Sequence, residues 1–217
     1  MKIHRDIEQG AIEWHEIKHG KIGGTRSKQL LTKSDTLLIE MIAETVEPFD
    51  KDSINDFMND AMARGVEMEP EARKALIQYT GLTFEEVGWV QSDIPILGIS
   101  PDGMTLDEGT ACEIKCLGAK KHIEICMNNE IPSDFIDQCI HYFTVVDGLE
   151  RLFFLSYRPE FTIKPVFIKV LELDTEVNIG TKARPVIKTV AEVVELKKQT
   201  AIELQEQINN SINNLKF

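Results

Sequence analysis

Between residues 85 and 157 the chain is dominated by short apolar runs, each bounded by Gly, Pro or Asp. EEVGWVQS, IPILGISPDG, ACEIKC and RLFFLSY are rich in β-branched and aromatic residues, which suit a pleated, half-buried surface. They predict four or five strands of one sheet. Residues 118–130 and 133–146 between them read as helices, and FTIKPVFIKVLEL reads as a further strand.

Helical patterns lie on both sides of this region. EWHEIKHGKIGGTRSKQLL gives a Trp-containing helical turn, a Gly-rich break and a second helix start, and residues 35–46 suit an amphipathic helix. From Asp52 to Tyr79 the pattern is again helical, with Met58, Met62 and Val66 on one side, Ala72, Leu76 and Tyr79 continuing it, and Gly81 closing it. A long helical tail is expected from near Pro185, with Ile187, Val190, Val194, Ala201, Leu204, Ile208 and Leu215 on its apolar stripe and its charges mostly elsewhere. The fold class is therefore α/β (α+β), a central mixed sheet flanked by helices with a C-terminal helix. No repeat or low-complexity linker interrupts the 217 residues, which suit one domain: 1–80 mainly helical, 81–175 the sheet core, 185–217 the terminal helix.

No window reaches the roughly 18 uninterrupted apolar residues of a membrane span. The stretch MKIHRDIEQGAIEWHE lacks the apolar core of a secretion signal, so no membrane partner and a cytoplasmic address are expected. Cys112, Cys116, Cys126 and Cys139 form no Cys-x-x-Cys pair and have no histidines at zinc-finger spacing, which suits reduced, apolar thiols. The net charge of −12 argues against a broad nucleic-acid-gripping face. A local basic groove stays compatible with it, because salt confines charge effects to roughly 10 Å.

The stretch SPDGMTLDEGTACEIKC, residues 100–116, reads as two short strands around an Asp/Gly-rich turn. Such a hairpin brings Asp102, Glu113 and Lys115 together. Glu113 and Lys115, two apart on a strand, share a face, while Ile114 points to the opposite one and keeps its main-chain carbonyl available. Two carboxylates and a carbonyl suit magnesium, which takes hard oxygen ligands, waters and substrate phosphate. Lys115 would then neutralise charge on a phosphate or, deprotonated, help activate a water. The plain reading of Glu-x-Lys is a solvated strand face; the Ser-Pro-Asp-Gly just upstream raises the catalytic one.

Pro-Asp followed by Glu-x-Lys resembles the PD-(D/E)XK nuclease superfamily. The wider pattern resembles its lambda-exonuclease or YqaJ-like viral recombinase branch. EWHEIKHGKIGGT (13–25) is similar to the opening motif, and RGVEMEPEAR (64–73) to the helix motif Gly-x-x-x-Glu-x-x-Ala through Gly65, Glu69 and Ala72. SPDG and EIKC follow in order, then DFIDQCIHYFTVV (134–146) with Gln138 at the family's glutamine. The tail carries no matching motif.

The resemblance implies a restriction-endonuclease-like nuclease core. Asp102, Glu113 and the Ile114 carbonyl would hold a catalytic Mg²⁺, with Mn²⁺ able to substitute. Glu69 would reach a second metal, Lys115 would assist the water, and Gln138 would position Lys115 or the water. Lys18, Thr25 and Ser100 match positions that bind the phosphate at a DNA 5′ end. Lys18 stands where an arginine is frequent, Thr25 where a serine is, and Phe135 where a tyrosine occurs in relatives. The implied activity is 5′→3′ digestion of duplex DNA, leaving 3′ single-stranded tails for phage-type recombination. The implied partners are double-stranded DNA ends, two further copies in a homotrimeric ring, and a single-strand annealing protein, in a bacterial or phage-infected cell. The alternatives are a restriction or repair endonuclease of the same superfamily and a non-catalytic DNA-binding module; a Cas4-type iron–sulfur relative is disfavoured by the cysteine positions.

Several positions keep plainer readings. Glu67 and Glu71 flank Glu69 as candidates for the inward carboxylate, with the glycine spacing preferring Glu69. Gln138 also reads as an exposed helix position, and Lys18, His19, Lys21, Arg26 and Lys28 also read as a solvated basic face. Trp14 is expected to pack in the core.

Overall fold

The computed structural model describes residues 1–32, 34–54, 60–181 and 183–215, and the side chains of these except 53 and 60–62. In chain order the elements are β1 (Lys2–His4), α1 (Ile12–Lys18), a 3₁₀ turn (Gly24–Arg26), α2 (Lys28–Thr32) and α3 (Asp35–Val46). A second 3₁₀ turn (Lys51–Ser53), α4 (Asp60–Thr80), β2 (Trp89–Gln91), β3 (Gly98–Ile99), β4 (Gly103–Met104) and β5 (Thr110–Lys115) follow. Then come α5 (Ala119–Asn128), α6 (Ser133–Val145), β6 (Arg151–Tyr157), β7 (Val166–Glu172), β8 (Glu176–Asn178), β9 (Ile187–Thr189) and α7 (Val190–Leu215). Among the described residues no helix is long and apolar enough to cross a membrane.

The main sheet runs β4-β5-β6-β7. Its central pair, β5 and β6, is parallel, so the chain crosses over between them through α5 and α6; the outer pairs are antiparallel. Strand alternation sorts its residues onto two faces. Ala111, Leu152, Phe154, Phe167 and Leu171 enter the larger core with α6 and α7, while Cys112, Ile114, Phe153, Leu155 and Tyr157 pack with Ala72, Leu76 and Phe84 on the α4 side.

The expected single sheet is in fact divided. β3 joins β1 and β2 in a separate three-stranded sheet, and β4 opens the main one. The division falls at Pro101, which has no N–H to donate to a ladder, so pairing stops there and resumes two residues later. The tail helix also starts later than Pro185. Residues 187–189 form β9 and pair with β8, leaving Ile187 exposed on a hairpin. The helix begins at a capping box: Thr189 Oγ1 accepts the Glu192 N–H at 3.2 Å, and Glu192 Oε2 accepts the Thr189 N–H at 2.8 Å.

Other expectations divide in the same physical way. Gly81 ends α4 at φ +71°, a left-handed conformation open to glycine at little cost. Ala72 and Leu76 are buried on that helix, but Val66 and Tyr79 face solvent, the latter 70 % exposed. Met58 lies outside the described residues, as does the Met62 side chain. On α7, Val190, Val194, Ala201, Leu204 and Ile208 are buried, Leu215 is exposed, and one charge breaks the rule: Lys197 is fully buried, its Nζ 3.2 Å from Asp137 Oδ1. All four cysteines are free.

Candidate active site

The β4–β5 register pairs Gly103 with Cys112 and Met104 with Ala111. One step further along it, Asp102 falls opposite Glu113, at the separation where cross-strand side chains touch. Asp102 Oδ2 accepts the Ile114 N–H at 2.6 Å, which locks the aspartate against β5. The N–H and C=O of one strand residue leave on the same side, so the Ile114 carbonyl also faces Asp102 and not the β6 ladder.

Glu113 is fully buried. Its Oε2 accepts the Tyr142 hydroxyl at 2.7 Å; its Oε1 faces the Lys115 ammonium in a close ion pair. Burial lifts the Asp102 carboxyl well above the usual carboxylate range, and the nearby Glu113 lifts it further. Burial alone would lower the Lys115 amine, but Glu113 and Asp102 outweigh it and hold it above the ordinary lysine value, so Lys115 is an ammonium at neutral pH. This small buried space thus holds two carboxylates and one ammonium. Each carboxylate has one oxygen anchored by protein donors and one turned to the other charged groups.

Glu69 enters from α4, and it is the half-buried one of three candidates: Glu67 and Glu71, two residues away on either side, face solvent. Its carboxyl is raised, by burial first and then against the opposing pull of Arg73, with Glu86 and Glu113 adding to the rise. Arg73 Nη2 holds it at 2.6 Å, while Arg73 Nε donates to the Asp102 carbonyl at 2.8 Å and Nη1 pairs with Glu86. Among the described residues no three His, Cys, Asp or Glu side chains form a ready metal cage. The donor set nevertheless fits magnesium, which is held by one or two carboxylates with waters and phosphate completing its shell. Asp102, Glu113 and the Ile114 carbonyl supply that set, and among the described residues the Lys115 ammonium is the one partner of the buried Glu113 Oε1, which leaves that oxygen capacity for an ion.

Trp14 is half-buried and not a core residue: its Nε1 donates to Ser100 Oγ at 2.7 Å and to the Gly88 carbonyl at 3.1 Å. Lys18 Nζ sits 3.2 Å from the centre of the Trp14 ring, and burial pulls its pKa down to about 8. The structure therefore brings Lys18, Trp14 and Ser100 together, two residues upstream of Asp102. Among the described residues no hydrogen bond joins Thr25 to them; Thr25 is exposed on the 3₁₀ turn, which packs against α6. That packing is tight, since a Cβ on Gly24 would lie 2.8 Å from Gln138 Cγ. Among the described residues no hydrogen bond joins Gln138 to Lys115; Phe135 supplies the ring nearest that ammonium, 5.5 Å to its centroid. Part of the basic run is structural, with Arg26 paired to Glu40 and Glu44 and Lys21 donating to the Pro95 carbonyl.

Two residues of the site went unread in the sequence. Tyr142 follows Gln138 by four on α6, and Arg73 follows Glu69 by four on α4, so in each case helical spacing to an already suspect residue was the available signal.

The sequence model of a family described as the YqaJ-like viral recombinase domain matches residues 13–148, a span containing every side chain of this site. Among solved structures, an alkaline exonuclease (LHK-Exo) from Laribacter hongkongensis superposes with a TM-score of 0.71 at 24 % identity, covering 95 % of this chain and 96 % of that one. LHK-Exo in complex with dAMP superposes with a TM-score of 0.69 at 25 % identity, covering 94 % and 97 %. No curated protein sequence matches the chain.

Proposed function

The chain belongs to the YqaJ-like viral recombinase family, and on that premise we propose that it is a magnesium-dependent deoxyribonuclease. In this reading it digests one strand of duplex DNA from a 5′ end and leaves a 3′ single-stranded tail. The observation that carries it is the placing of Asp102 opposite Glu113 on β5, beside an ammonium and a main-chain carbonyl that faces them. The likeness in fold to alkaline exonucleases agrees with it.

Asp102, Glu113 and the Ile114 carbonyl would hold Mg²⁺, or Mn²⁺ in its place. When bound, the ion supplies charge neutralisation at the scissile phosphate and a more acidic water. Lys115, kept charged by its neighbours, would meet a non-bridging phosphate oxygen and stabilise the charge that grows there. Its raised pKa disfavours the role of base. Glu69 would serve a second ion only after leaving Arg73. Gln138 would orient the attacking water from α6. Lys18 and Ser100, with Thr25 closing from its turn, would bind the terminal 5′-phosphate next to the cutting position, which favours an end-directed enzyme.

A net charge of −12 suits a homotrimeric ring whose outside is acidic and whose channel is basic. Other proposed features are a single-strand annealing protein as partner and a bacterial or phage-infected cytoplasm as location. The test is linear duplex DNA labelled at the 5′ or the 3′ end, incubated with protein and Mg²⁺ beside a closed circle, with EDTA as control. Early release of the 5′ label, an intact circle and silence in EDTA are expected. Early release of the 3′ label, or a cut circle, refutes the 5′-exonuclease; no hydrolysis under any condition refutes the nuclease.

A further inference from the structure

The Tyr142 hydroxyl, on α6, reaches β5 and the residue just before β4. It lies 2.7 Å from Glu113 Oε2 and 3.1 Å from the Cys112 carbonyl, and the Asp102 N–H points to it at 3.4 Å. A phenol carries one proton to donate and lone pairs that accept. The shorter, charge-assisted contact takes the proton, so Tyr142 donates to Glu113 and accepts from the Asp102 main chain. The residue is fully buried, and truncating only its oxygen would leave the surrounding core filled.

We propose that Tyr142 is a positioning residue: by occupying Glu113 Oε2 and steadying Asp102, it commits each carboxylate to offer a single oxygen, which selects a small octahedral cation over calcium. The inference rests on the metal-dependent reading above. Asp102 Oδ2 is occupied by Ile114 as Glu113 Oε2 is by Tyr142, so an ion would be met by Oδ1 and by Oε1, the oxygen that faces the Lys115 ammonium. One-oxygen ligation at fixed points suits Mg²⁺ and Mn²⁺, which demand near-octahedral geometry. Calcium takes more oxygens and often both from one carboxylate.

The experiment measures Mn²⁺ and Ca²⁺ binding to the DNA-free full chain by calorimetry, for wild type, Tyr142→Phe and Phe143→Leu, with thermal unfolding of each. Phe143 is buried on the same helix and carries no polar atom, so its truncation reports loss of packing alone. Tyr142→Phe is expected to weaken Mn²⁺ binding roughly 10- to 100-fold, as loss of a partner to a metal ligand does. Calcium binding should weaken less, because Glu113 is then free to offer both oxygens. Phe143→Leu is expected to lower thermal stability with both affinities unchanged. Equal Mn²⁺ affinity and an equal Mn²⁺/Ca²⁺ ratio in wild type and Tyr142→Phe would overturn the role of Tyr142 and leave the metal reading standing. A wild type that binds no Mn²⁺ would overturn the metal reading and this inference with it.

Discussion

Acid should unfold this protein through His141. The ring is fully buried on α6, with Nε2 3.0 Å from the Ile22 carbonyl and 3.1 Å from the Gly98 carbonyl. Both are acceptors, so Nε2 carries the proton, and Nδ1 is buried with no hydrogen-bond partner among the described residues. A second proton would sit in that dry position and face the buried Lys197 ammonium. Burial first, then Lys197, pushes the His141 pKa down to about 3. In the unfolded chain the ring titrates near its usual value of about 6.5. Between those two values the unfolded state binds the proton and the folded state does not. The stabilisation is therefore complete above about pH 6.5 and is lost as pH falls toward 3. From these two values the loss between pH 7.5 and 5 works out to about 2 kcal/mol. Urea unfolding followed by tryptophan fluorescence at pH 7.5, 6 and 5 reads it directly. His141→Gln keeps an N–H donor and removes the titration, so its stability should fall about 2 kcal/mol less than that of the wild type across this range. Parallel pH profiles for the two proteins would refute the assignment of the neutral, carbonyl-bridging tautomer.

Three further outcomes follow from the site. Asp102→Asn should abolish DNA hydrolysis yet raise the metal-free melting stability by about 1 kcal/mol, because it removes a strained buried carboxylate; an equal or lower melting temperature in calorimetry would contradict the raised Asp102 pKa. Lys18→Ala should erase the preference for 5′-phosphoryl over 5′-hydroxyl ends; in the wild type that preference, read from kcat/KM, should decline as pH rises through about 8, where the free lysine loses its proton. Gly24→Ala should cost about 1–3 kcal/mol through overpacking against Gln138 and lower kcat; unchanged urea midpoints and rates would show that the turn yields without moving α6.

How much of this was legible in the sequence depended on the range of the interaction. Asp102, Glu113 and Lys115 could be brought together on paper because one hairpin joins them. Glu69 could be preferred to Glu67 and Glu71 only through motif spacing; the structure separates them because only Glu69 lies where the buried Arg73 can reach it. The division of the strands into two sheets was less visible, since it depends on which distant segment each strand pairs with, although Pro101 marked the place. The late start of α7 was written in Thr189 and Glu192, but Pro185 is the louder punctuation. Lys197 was unreadable: a lysine on an apolar stripe becomes tolerable only because Asp137 waits for it on α6. Tyr142 looks like ordinary core until its hydroxyl is seen between two strands.

Pro101 gives the molecule a fixed gauge. Ser100 directly follows the last strand of the small sheet, where a DNA end is proposed to be held, and Asp102 directly precedes the first strand of the large one, where it is proposed to be cut. Two consecutive trans peptide units separate their Cα atoms by at most about 7.6 Å, and the proline ring removes one of the few torsions left to adjust that span. Loosening of side-chain packing by heat, mutation or a bound partner cannot stretch it, because covalent bonds and not contacts set its length.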